Sequence, residues 1–75
     1  MHKTMLKYRL VKRENGKNLY EYMPDGNGRP GLVALHDNGT REIVSDSPDD
    51  FKRVYMSHAF SGIDINKDVG IVAWY

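Results

Sequence analysis

The chain has 75 residues, a formal charge of +1 and no cysteine. That length holds one thin-cored domain that buries about 60% of its unfolded surface and leaves no depth for a large substrate cavity. The lack of cysteine excludes a disulfide framework, a thiolate metal site and a cysteine nucleophile, and no apolar run is long enough to span a membrane.

Turn signals divide the chain at regular intervals, which predicts short strands. Met5 to Lys12 alternates, with Leu6, Tyr8 and Leu10 on one face and Lys7, Arg9 and Val11 on the other. Glu14-Asn15-Gly16 reads as a turn and Asn18 to Met23 as a second, tyrosine-rich strand. Pro24 to Pro30 is a loop, Gly31 to His36 a third strand, Asp37-Asn38-Gly39 a turn, and Thr40 to Val44 a fourth strand.

Two-residue loops would set Leu10 opposite Glu21 and Leu35 opposite Glu42, mixing apolar and charged groups on one face. Three-residue loops closed by a left-handed glycine shift the pairing by one. Leu10 then faces Tyr20, Tyr8 faces Tyr22, Arg9 faces Glu21 and Val33 faces Ile43. The expected core is Leu6, Tyr8, Leu10, Tyr20, Tyr22, Val33, Leu35 and Ile43.

Ser47-Pro48-Asp49-Asp50 has the form of a helix start, with a capping serine, a proline at the first helical position and acids at the positive end of the dipole. Phe51, Val54, Tyr55, His58 and Ala59 follow at helical spacing, and Gly62 is the expected stop. Asp64 to Asp68 is a polar turn, and Val69 to Tyr75 a dense apolar run of strand length, with Trp74 and Tyr75 docked. The expected fold is a single α+β domain over residues 1–75. A four-strand antiparallel meander carries one helix on one sheet face and a C-terminal fifth strand, in the order 4-3-2-1-5.

Tyr8-Arg9-Leu10-Val11, Leu19-Tyr20-Glu21-Tyr22, Gly31-Leu32-Val33 and the ending Ile71-Val72-Ala73-Trp74-Tyr75 carry a resemblance over nearly the whole chain. They resemble a group of short uncharacterised bacterial proteins. The resemblance implies a complete small domain of bacterial, cytoplasmic origin. It implies no activity, cofactor or catalytic residue.

The sequence names no chemistry of its own. Gly26-Asn27-Gly28-Arg29-Pro30-Gly31 spells a dinucleotide fingerprint, but a strand pattern follows it where the pyrophosphate site needs a helix. Asp64-Ile65-Asn66-Lys67-Asp68-Val69-Gly70 opens like a calcium loop, yet its glycine comes one position late and the twelfth position is Tyr75 rather than a glutamate. His2, His36 and His58 lack the spacing of a zinc pair. Ser57-His58 are helix neighbours that point apart, and Asp49 and Asp50 are explained by the helix start. We therefore expect no enzyme, no cofactor and no metal.

Two binding readings remain. Val11, Leu19 and Met23 lie among charges on the face opposite the expected core and, with Arg29 on the glycine-rich loop, are candidates for contact with a protein partner or a second copy. Five bases and no acid fall in the first 13 residues, while the other six bases are outnumbered by ten acids. Lys7, Arg9, Lys12 and Arg29 are thus candidates for single-stranded nucleic acid or an anionic ligand, with a steep salt dependence. The protein-interaction reading is preferred. The expected register turns Tyr20 and Tyr22 away from the basic face and pairs Arg9 with Glu21.

Overall fold

The computed structural model describes residues 4–74. Five antiparallel strands form one sheet, β1 (Thr4–Glu14), β2 (Lys17–Pro24), β3 (Gly31–His36), β4 (Arg41–Ser45) and β5 (Val69–Trp74). Their order is β4-β3-β2-β1-β5, as expected. A short 3₁₀ turn (Phe51–Arg53) leads into one helix, α1 (Val54–Gly62), which packs on β1, β2, β3 and β5.

The expected pairing holds across the middle of the first hairpin, with Tyr8 opposite Tyr22, Arg9 opposite Glu21 and Leu10 opposite Tyr20. Its cause differs from the expected one. Asn15 and Gly16, both left-handed at φ 52° and 78°, form a two-residue turn that pairs Glu14 with Lys17. This is the turn type whose twist suits a hairpin. The shift comes instead from a β-bulge between Leu10 and Lys12, where Val11 is the extra residue. The second hairpin does use a three-residue loop. His36 N–H bonds Thr40 O at 2.9 Å around Asp37-Asn38-Gly39, with Gly39 at φ 92°. Val33 faces Ile43 there, as expected.

Leu6, Tyr8, Tyr20, Tyr22, Val33 and Leu35 are buried, and Leu10 is half-buried against them. Ile43 is a correction, because it shares the inner face but remains 45% exposed. It lies on the edge strand β4, beyond the strands on which α1 mainly packs. The helix also differs from expectation. Ser47 caps a non-helical turn, accepting the Asp49 N–H at 3.1 Å and donating to Arg29 O at 2.5 Å. The helix starts seven residues later, so its buried stripe is rotated. Met56 and Ala59 are buried, Phe60 and Ile63 pack beside them, and Phe51 and Val54 are exposed.

Lys52 and Arg53 precede α1 in left-handed backbone, at φ 56° and 58°. Each such residue costs about 1–2 kcal/mol. Local contacts offset this. The Asp50 carboxylate accepts the N–H groups of Tyr55 and Met56 at 2.8 and 2.9 Å, capping the helix from across the kink. The Arg53 guanidinium forks onto Asp46 at 2.8 and 3.1 Å.

The tyrosines tie sheet to helix. Tyr20 Oη donates to Lys67 O at 2.7 Å beyond the helix, and Tyr22 Oη donates to the capping Asp50 at 3.2 Å before it. Gly31 and Gly70 sit opposite Tyr22 and Tyr8, and any Cβ at either glycine would collide with the facing ring. Buried Asn18 joins both hairpins. It accepts from Arg13 at 2.7 Å and donates to Leu35 O and Asp37 at 2.8 and 2.9 Å.

Candidate functional site

Among the described residues α1 covers the inner face of the sheet and leaves the outer face open. Alternation and register place Lys7 and Arg9 of β1, Leu19, Glu21 and Met23 of β2, and Val69 and Ile71 of β5 on it. Leu19 and Met23 are half-buried there, while Val69 and Ile71 are 62% and 60% exposed. Val11 is exposed at the bulge.

Two shallow hollows divide this face. One, of about 390 Å³, is lined by Met23, Val69 and Ile71 with Lys7 and Arg9 at its side. The other, of about 500 Å³, lies at the first hairpin between Leu19, Lys12, Lys17 and His36. Between them Arg9 Nε meets Glu21 Oε1 at 2.6 Å.

The structure brings Leu19 and Met23 to this face but separates Arg29 from it. Arg29 clamps Asp49 through its backbone N–H at 2.6 Å and its guanidinium at 3.0 and 3.3 Å. This clamp holds the Asp49 carboxyl below its usual range, the guanidinium bonds first and the backbone bond second. Arg29 thus ties the β2–β3 loop to the segment entering the helix. Of the other candidates, Arg9 pairs with Glu21, as expected from register, and Lys12 pairs with Glu14 on its own strand at 2.7 Å. Lys7 makes no ion pair among the described residues, and its chain lies beside Gly26. At the other end of the face Glu42 accepts from His36 at 3.2 Å and lies 3.7 Å from Lys17 Nζ. The His36 bond first, and the Lys17 charge next, lower its ionisation range.

Val69 and Ile71 were not singled out in the sequence. The final run V-G-I-V-A-W is apolar at nearly every position, so its sequence shows no inner and outer face. Its alternation appears only when the sheet places Val72 and Trp74 inward and Val69, Ile71 and Ala73 outward. Trp74 is docked as expected, stacked on His58 at 3.7 Å with Tyr55 edge-on at 5.5 Å. Tyr75, with His2 and Lys3, lies outside the described residues.

No protein-family model matches the chain, and neither the curated proteins nor the solved structures give a match. The motifs fit their structural roles. The glycine-rich segment is a β2–β3 loop whose last glycine opens a strand. In the calcium-like segment, Asp64 accepts the Asn66 N–H at 2.9 Å, and Asp64 O and Lys67 O receive Tyr20. Among the described residues no three His, Asp or Glu side chains converge on a metal position, and no helix is long and apolar enough to cross a membrane.

Two phenols give this architecture a pH limit. Burial first pushes Tyr22 up to about 12, and the Asp25 carboxylate 2.7 Å away first pushes Tyr55 up to about 12, from an ordinary value of 10.0. Above that ordinary value the folded chain keeps protons that the unfolded chain has lost. Their contribution to stability is therefore intact below pH 10 and declines as pH rises through 12. Urea midpoints should fall over this range, with delayed tyrosinate absorbance in the folded state. A level midpoint with ordinary phenol titration would contradict the environments of both rings.

Proposed function

We propose that the protein is a non-catalytic protein-interaction module that binds a protein partner through the outer face of its sheet. The open hollow of Met23, Val69 and Ile71, with Leu19 in a second hollow on the same face beyond the Arg9–Glu21 pair, supports this reading. It sets exposed apolar area beside Lys7, an outer-face cation with no acid against it among the described residues. A partner presenting apolar side chains with a carboxylate opposite Lys7 fits this chemistry. Nucleic acid fits less well, since Arg9, Lys12 and Arg29 are each held by an acid.

Substituting Leu19→Lys or Met23→Lys tests the face. Both positions border solvent, so stability should change by about 1 kcal/mol or less. Partner affinity should fall about tenfold or more, as expected for an apolar anchor. Parallel pull-downs of the native chain and both variants, with and without nuclease, followed by titration of the captured partner, give the answer. A nuclease-resistant partner lost by both folded variants supports the proposal. A partner that both variants retain at native affinity, or one removed by nuclease, overturns it.

A further inference from the structure

The two edges of the sheet are built differently. β4 carries Arg41 and Glu42, and its pairing with β3 is irregular between Leu32 and Val33. Edge charges and irregular pairing discourage strand addition. The opposite edge, β5, reads Val69-Gly70-Ile71-Val72-Ala73-Trp74, six residues without a charge or a proline.

The hydrogen bonding of β5 gives its free side a pattern. Leu10 N–H bonds Asp68 O at 2.6 Å, so Asp68, Gly70, Val72 and Trp74 turn their backbone groups toward β1. By antiparallel alternation, Val69, Ile71 and Ala73 turn theirs outward. These are also the residues whose side chains stand exposed on the outer face.

We infer that β5 pairs antiparallel with β5 of a second copy, joining two sheets into one of ten strands. Two-fold axes through Gly70, Ile71 or Val72 would all match outward groups, and the one through Ile71 is chosen because it alone pairs all three outward residues within β5. Ile71 then pairs with its own copy, and Val69 pairs with Ala73. On the inner face Gly70 lies opposite Val72. Large side chains meet small ones off the axis, the paired segment Val69–Trp74 carries no charge, and each outward N–H and C=O of Val69, Ile71 and Ala73 finds a mate. A two-fold contact is closed, and it leaves the charged β4 edges at both ends, so assembly stops at two copies. A single strand pair is a small contact, below about 1,200 Å², so the dimer forms reversibly with concentration. The inference concerns the backbone edge of the sheet; Val69 and Ile71 border both that edge and the hollow on the face, so Leu19, which lies away from the edge, is the position that tells the two apart.

Sedimentation of the full chain across a concentration series tests it, together with amide exchange at both ends of the series. Native mass should rise from one copy to two, with protection gained at Val69, Ile71 and Ala73. Ile71→Pro removes only an outward N–H, leaves the β1 ladder intact and should weaken self-association on the order of tenfold or more. Ile71→Lys sets like charges together on the axis at a position already exposed, so it should stay folded and monomeric. Leu19→Lys should still dimerise, which separates the edge from the face. A native chain that stays monomeric at every concentration overturns the inference. So does a dimer that tolerates both Ile71 substitutions, or one that protects other amides.

Discussion

Tyr20→Ala should remove about 3–5 kcal/mol of stability, as large aromatic truncations in cores do. A domain of this length holds about 4–11 kcal/mol in total, so the loss takes from about a quarter to all of its stability. Tyr20 is fully buried, packs edge-on against Tyr8 at 5.6 Å and holds the segment after α1 through its hydroxyl. Tyr20→Phe isolates that hydroxyl. It keeps the ring and loses the bond to Lys67 O, so about 1 kcal/mol should go. Urea unfolding of the three chains compares the effects. Equal losses for Ala and Phe would mean that the hydroxyl, rather than ring packing, dominates. A loss below about 1 kcal/mol for Ala would refute this residue as the centre of the core.

Gly31→Ala should destabilise the fold by about 1–3 kcal/mol, the usual effect of overpacking. The sign is informative, because alanine in an open strand is better than glycine by about 0.5–1 kcal/mol. Here the added Cβ would stand 2.5 Å from Cε1 and Cζ of Tyr22 and 2.6 Å from its Oη. The ring has little room to yield. It is fully buried, and its hydroxyl donates to the Asp50 carboxylate that caps α1. Displacing it therefore disturbs the start of the helix as well as the sheet. Repeating the substitution beside Tyr22→Leu should relieve most of the loss. If Gly31→Ala raises the urea midpoint in the native background, the close packing of ring on glycine is wrong.

The sheet was legible because alternation and register constrain each other. Placing Tyr8 against Tyr22 and Arg9 against Glu21 satisfied both faces of the hairpin, and the structure has those pairs. The route to that register was not legible, because a three-residue turn and a two-residue turn with a bulge put the same side chains together. The helix start misled for a related reason. Serine, proline and aspartate stabilise a tight turn with the same atoms that they bring to a helix. The cap came from Asp50 across two left-handed residues, a conformation that Lys52 and Arg53 do not advertise. On the candidate face Leu19 and Met23 were visible as apolar residues among charges, whereas Val69 and Ile71 were masked by equally apolar neighbours. Arg29 looked available as a cation on a flexible loop until its partner 20 residues away came into view.

The bulge at Val11 bears on how such a chain can change length over generations. Without Val11, Lys12 would still meet Leu19, Leu10 would still meet Tyr20, and every side chain from Thr4 to Leu10 would keep its face. Losing one residue between Leu6 and Leu10 has the opposite result, because it puts everything before the gap out of phase with β2 and β5 alike. Val11 is thus slack in an otherwise taut strand. What it adds is the local bend and twist of the strand rather than its pairing, so heredity can add or drop a codon at this point without rewriting the sheet.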